Sequence, residues 1–410
     1  MYFVSAAFGN FYVFLQEDVK YSLNRPYSLK PCGFLLASRR PPPGPFARGT
    51  LDVVGALAHS RDMAENIEIT GAPRAVDEPS VWSTADLAAD RSWEYHLSAG
   101  HRAELDAAVA AVTSADGTVR PGFARDDFVL PTLAATLDDI YRQLKDGRGF
   151  AVLRGLDISD RGQDRMAALL WGLGCYLGQG IVQNKYGDLI GEVKDHGEVA
   201  PGADPYLVGV RGYRTTVALP PHTDSCDVVG LLCMRAAKAG GASSVVSATA
   251  LYNEIVATRP DLIAPLTEGF FIDLVGKGTA DDQLSFAAIP VFSHFGGKLS
   301  CRFNKQQIEL GAEKSGRPLT AARQEAIDLV RRLSLDPRFC LPIDLAPGDI
   351  QLLNNRVTLH ARGAFEDHLD DARKRLMLRL WLTQPDIRPL TDAMADQLNT
   401  GPRGAVLARA

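Results

Sequence analysis

His222, Asp224 and His360 are residues whose types can do chemistry together. The first two stand two positions apart, in His222-Thr223-Asp224. The third lies far downstream and closes the run Asn354-Asn355-Arg356-Val357-Thr358-Leu359-His360. Two imidazoles and one carboxylate can take one face of an octahedral ferrous ion, leaving three positions open for a co-substrate and O2. Zinc hydrolases use the same donor types, with water in the remaining position.

These residues need elements to position them. On an extended strand the His-x-Asp spacing puts both side chains on one face, roughly 6–7 Å apart at the backbone, with Thr223 turned away. Residues 350–359 read as an apolar strand that ends at His360, and the polar stretch 363–372 reads as a loop. Residues 375–383 form the clearest strand pattern. Leu376, Leu378, Leu380 and Leu382 point one way, and Arg375, Met377, Arg379 and Trp381 point the other. Four leucines on one face require packing, and the opposite face, inside a barrel, would be a binding wall. A hairpin folded about residues 367–368 would set His360 across from Arg375, so that a metal ligand stands beside a cation. Upstream, the spacing predicts helices over residues 94–110, 130–145 and 160–177, with a buried strand over 150–153.

Composition narrows the class. The chain has 410 residues, 46% of them hydrophobic, ample for a large core. Net charge is −5, from 44 basic and 49 acidic residues, which gives no electrostatic footprint for nucleic acid or an anionic membrane. No run reaches the ~18–20 apolar residues of a membrane span. Six cysteines without a CxxC pair suggest neither a zinc framework nor disulfides, and fit a reducing, cytoplasmic compartment. Residues 1–75 differ from the rest. The run Arg39-Arg40-Pro41-Pro42-Pro43-Gly44-Pro45 is a stiff linker signature. We expect residues 1–75 to be a poorly ordered or dispensable extension, with Met63 as an alternative start. Residues 76–390 form the expected catalytic domain and 391–410 a C-terminal tail.

In order along the chain, several pieces resemble one family. They are Gly149-Phe150-Ala151-Val152-Leu153-Arg154-Gly155, His222-Thr223-Asp224, Gly240-Gly241-Ala242-Ser243, the run ending at His360, and Arg375 followed by Arg379. Together they are similar to the TauD/TfdA family of Fe(II)- and 2-oxoglutarate-dependent dioxygenases. The resemblance implies an α+β fold with a double-stranded β-helix (jelly roll, clavaminate synthase-like) core wrapped with helices. It implies Fe(II) on His222, Asp224 and His360, with 2-oxoglutarate as co-substrate and O2 as oxidant. Arg375 would pair with the distal carboxylate of 2-oxoglutarate, bidentate pairing fixing orientation as well as charge. Ser243 stands where relatives usually carry a threonine on that carboxylate. Arg379 matches a position that grips the substrate anion in sulfonate-using relatives, or it assists with 2-oxoglutarate. Asn184 lies where relatives contact substrate, although a turn explains an asparagine there nearly as well.

The implied reaction hydroxylates an aliphatic C–H of a small sulfonate, carboxylate or amino acid, with release of succinate and CO2. Related halogenases lack the carboxylate, so Asp224 favours hydroxylation. Trp381, Phe286 and Phe292 would equally line a pocket for a larger substrate. The rival readings are a zinc hydrolase on the same ligands and a non-catalytic jelly-roll protein with a vestigial metal site. Oligomeric state, a homo-oligomer included, is left open.

Overall fold

The computed structural model describes residues 72–159, 161–199, 210–280 and 283–408. Residues 1–71 of the expected extension, and Cys32 with them, lie outside the described residues. In chain order the strands are β1 (Glu94–His96), β2 (Phe150–Arg154), β3 (Gln179–Gly180), β4 (Ile190–Val193) and β5 (Leu219–His222). There follow β6 (Val228–Arg235), β7 (Ala239–Gly240), β8 (Ser243–Ser247), β9 (Phe292–Phe295) and β10 (Lys298–Cys301). The last five are β11 (Cys340–Ile343), β12 (Ile350–Asn354), β13 (Thr358–Arg362), β14 (Phe365–Glu366) and β15 (Leu376–Thr383).

Two sheets carry the fold. The larger runs β1-β2-β12-β6-β15-β3, with β4 also paired to β15, and the smaller runs β11-β8-β13-β5. Apart from the parallel β1–β2 pair, their ladders are antiparallel. Side chains alternate across the larger sheet as the pleat demands. Phe150, Val152, Val229, Leu353 and Trp381 join Val245, Leu341 and Leu359 of the smaller sheet in one core. Ala151, Leu153, Leu232, Leu352 and the four leucines of β15 face a second core on the other side.

Helices close that second core. In the helix Leu133–Lys145, Leu133, Leu137, Ile140 and Leu144 recur at three- and four-residue steps and are buried. The helix Gln163–Gly174 lies so near β15 that a Cβ on Gly174 would come within 2.3 Å of Leu380. A side chain at residue 174 would have to displace the Leu380 methyl group. The segment after residue 390 packs on the first core through Met394, Leu398 and Val406.

The expected hairpin between residues 350–360 and 375 does not form. The chain turns at Asn355–Val357, so β12 and β13 are separate strands in different sheets, and β15 pairs with β6 instead of β13. His360 and Arg375 therefore come from two sheets. Cys175, Cys226, Cys233, Cys301 and Cys340 are unbridged. No helix among the described residues is long and apolar enough to cross a membrane.

Candidate active site

Strand register brings the two imidazoles together. His360 is the direct partner of His222 where β13 pairs with β5, and the ring centroids are 4.4 Å apart. Asp224 lies just beyond the end of β5, in the short connection to β6 and not on a strand as the spacing predicted. Thr223 does turn away: its amide donates to the Phe303 carbonyl at 2.8 Å and its hydroxyl accepts from the Phe303 amide at 3.1 Å. Asn355 clamps this connection. Its Oδ1 accepts from the Asp224 amide at 3.0 Å, and its Nδ2 donates to the carbonyls of Asp224 and Cys226 at 2.6 and 2.9 Å.

One donor atom from each of the three residues lies within 4.8 Å of the others. Asp224 Oδ1 is 3.9 Å from His222 Nε2, and Oδ2 is 3.8 Å from His360 Nε2. Two donors each ~2.1 Å from one ion stand ~3–4 Å apart, so these spacings suit a shared metal. His222 Nδ1 donates to the Pro220 carbonyl at 2.9 Å, which fixes the ring and leaves Nε2 as the lone-pair atom.

The surroundings set the charge states. Asp224 Oδ2 accepts from Trp381 Nε1 at 2.9 Å and from Arg379 Nη1 at 3.2 Å. Arg379 also donates from Nε to Gln183 Oε1 at 2.9 Å and lies over the rings of Trp381 and Tyr213. Burial opposes the charge on Asp224. Arg379 foremost, with the imidazoles and Lys277, outweighs it and holds the carboxyl below its usual range. Burial, reinforced by His222, pushes His360 down to about 3, and burial lowers His222 as well. Neutral imidazoles beside an ionised carboxylate are the metal-binding forms.

The three residues open onto a cleft. Ser243, Arg375 and Arg379 line it too. Arg375 is 5% exposed, and its Nη1 is buried without a hydrogen-bond partner among the described residues. Gly241, at φ 72°, leaves room for this side chain: a Cβ there would lie 3.3 Å from Arg375 Nε. Asn184 is elsewhere. Its side chain closes a turn, accepting from the Tyr186 amide at 3.0 Å and donating to Asp188 at 2.8 Å. Phe286 is exposed and Phe292 is fully buried, and neither lines the cleft.

Other lining residues carried no sequence signal. Lys277 stands between two glycines, as many surface lysines do, yet it is 4% exposed. Arg211 and Tyr213 lie in an aperiodic stretch. Asn355 was visible only as part of the run before His360.

A jelly roll whose two sheets enclose a two-histidine, one-carboxylate cluster defines a class, that of non-haem metal oxygenases. Residues 115–381 match the family described as "Taurine catabolism dioxygenase TauD, TfdA family", and the chain belongs to it. It is thus an oxidoreductase of the dioxygenase type. FR-33289 synthase of Streptomyces rubellomurinus is 30% identical over 306 residues, 74% of this chain and 88% of the relative. A taurine hydroxylase-like protein of Stachybotrys chartarum is 28% identical over 333 residues, 79% and 84% of the two chains. Among solved structures, asparagine oxygenase with Fe(II), hydroxyasparagine and succinate superposes with a TM-score of 0.56 at 19% identity. That match covers 78% of this chain and all of the other. The non-heme iron oxygenase OrfP with Fe and alpha-ketoglutaric acid gives 0.52 at 15% identity, covering 77% and 99%. These structures share the fold.

Proposed function

We propose that the chain is an Fe(II)- and 2-oxoglutarate-dependent dioxygenase that hydroxylates an aliphatic C–H of a small substrate, a sulfonate, a carboxylate or an amino acid. Succinate and CO2 are released. His222, Asp224 and His360 would hold the iron, which when bound supplies the O2 chemistry. Arg375 would take the distal carboxylate of 2-oxoglutarate, and Ser243 would offer its hydroxyl on the same wall. Arg379 and Trp381 orient Asp224 through its Oδ2, so that Oδ1 is left towards the metal. Trp381 and the leucine face of β15 keep the back of the site dry.

One observation carries the reading. The cleft that holds the three donor residues also holds an arginine with a buried, unpartnered N–H. Such an orphan costs about 1–3 kcal/mol, and a carboxylate acceptor would remove the cost. A zinc hydrolase gives Arg375 no comparable task. The structures with succinate in asparagine oxygenase and alpha-ketoglutaric acid in OrfP support the same co-substrate here.

The test is anaerobic addition of 2-oxoglutarate to the Fe(II) protein. A visible metal-to-ligand charge-transfer band is expected, perturbed by acids or amino acids that enter the cleft. Fe(II) binding without any such band would overturn the proposal.

A further inference from the structure

The cleft carries more basic side chains than the proposed co-substrate uses. Arg211, Lys277, Arg362, Arg375 and Arg379 line it, and Asp224 is the one carboxylate among the described lining residues. A ferrous ion and doubly charged 2-oxoglutarate add no net charge between them. Three of the five cations already have tasks. Arg375 is assigned to 2-oxoglutarate, Arg379 is bound to Asp224 and Gln183, and Arg362 donates to the carbonyls of Thr215 and Val217.

Lys277 is the fifth, and Arg211 lines the cleft beside the stretch that carries it. Lys277 Nζ donates to Ser225 Oγ at 3.2 Å and stands 6.0 Å from the Trp381 ring centre. Burial, with Arg211 and Arg302 nearby, works against charge on Lys277, and a bound anion would relieve that penalty. Arg211 Nη1 reaches the Val275 carbonyl, at 3.5 Å, two residues before Lys277. Behind the wall, Arg302 donates from Nη2 to Gln307 at 2.7 Å. Its Nε and Nη1 are buried without partners.

The backbone is strained where it delivers Lys277. Val275 has φ 49°, a left-handed conformation that a β-branched residue rarely adopts. Its amide is pinned by Asp273 Oδ1 at 2.8 Å, and Asp273 is in turn paired with Lys314 at 3.0 Å. The Lys277 amide then bonds back to the Leu274 carbonyl at 3.0 Å. The strain is held in place by these bonds, and the stretch ends in a buried lysine that lines the cleft.

We propose that Lys277, with Arg211 nearby, receives the acid group of the primary substrate. The substrate is then an anion whose head lies at Lys277 while its oxidised carbon lies towards the triad. Recognition rests on this lysine, while Arg379 donates to Asp224. The inference deepens the proposed function and rests on it.

Full-length protein is loaded anaerobically with Fe(II) and 2-oxoglutarate and titrated by calorimetry with propanesulfonate, propylphosphonate, propanoate and propylammonium. At least one anion binds, propylammonium does not, and the tightest anion identifies the head group. Lys277→Met weakens that binding at least about tenfold, whereas Lys277→Arg stays within about threefold. Lys277→Met keeps its 2-oxoglutarate affinity, because Arg375 is untouched and Arg379 and Trp381 still hold Asp224. Preference for propylammonium, or undiminished anion binding by Lys277→Met, overturns the proposal. So does a lower Tm in both variants, which would make Lys277 a structural residue. The charge-transfer band reports separately. Anion binding that depends on Lys277 without a band sinks the oxygenase reading alone, and a band with anion binding indifferent to Lys277 sinks this inference alone.

Discussion

His360 stands directly opposite His222 in the ladder between β13 and β5, and an irregularity in register follows at once between His360 and Arg362. The proximity of the imidazoles is therefore a property of strand pairing. A one-residue slip would turn one of them to the other face. Asp224 is added by the connection that Asn355 clamps. Two different devices, a ladder and a side-chain clamp, converge on one point.

Arg379 and Trp381 both donate to Asp224 Oδ2 and should act through the metal. Replacing Arg379 by Met or Trp381 by Phe is expected to lower Fe(II) affinity about 10–100-fold, the usual cost of losing a partner behind a ligand. Fe(II) titration followed by the 2-oxoglutarate band measures it. Unchanged iron affinity with a loss confined to substrate KM would assign Arg379 to the substrate.

Arg375→Met removes the guanidinium assigned to the distal carboxylate. We expect 2-oxoglutarate affinity to fall by about 2–5 kcal/mol, the cost of truncating one side of a buried charged pair. Fe(II) affinity should be unchanged. Arg375→Lys should recover only part, since an ammonium cannot pair bidentately. Separate titrations of metal and co-substrate distinguish the outcomes.

Metal-free protein should lose stability in mild acid. His360 is held down to about 3 and His222 is also lowered, whereas an unfolded histidine titrates near ~6.5. Below that pH the unfolded chain binds more protons than the folded one. Stability is thus full above ~6.5 and is lost as pH falls towards 3. Melting curves of the metal-free protein between pH 7.5 and 5 should show the decline, and His360→Ala should flatten it. A profile unchanged by that substitution would refute the assignment.

The last residues contribute to the same region. Asp227, three positions after Asp224, is buried and takes Arg356 from the turn before β13 and Arg403 from the C-terminal segment, at 2.7 and 2.6 Å. The Gln384 amide donates to it at 2.8 Å. Arg403→Ala should lower stability by about 1–3 kcal/mol, because a buried carboxylate loses one charged partner and keeps the other. Denaturant unfolding measures this, and no change would show that Arg403 is dispensable there.

Donor types and strand periodicity were legible without coordinates. His222, Asp224 and His360 stand out because imidazole and carboxylate are metal donors. The face of Arg375, Met377 and Arg379 stands out because β15 alternates strictly against four leucines. Topology was not legible. The segment between His360 and Arg375 is as consistent with a hairpin as with a crossing between sheets, and loop length cannot separate the two. Lys277, Arg211 and Arg302 were missed for a related reason: they reach the site from aperiodic stretches, where burial is decided by contacts distant in sequence. Asn184 shows the converse, a residue placed by motif position that the local turn fully employs.

Succinate formation from 2-oxoglutarate is the most direct measurement. The protein with Fe(II) should produce succinate and consume O2 in step, even slowly without its primary substrate, and Asp224→Ala and His360→Ala should reduce the rate by about 10³-fold or more. Succinate formed without O2 or at an undiminished rate in those variants, or none formed at all by the iron-loaded parent, would contradict the assignment.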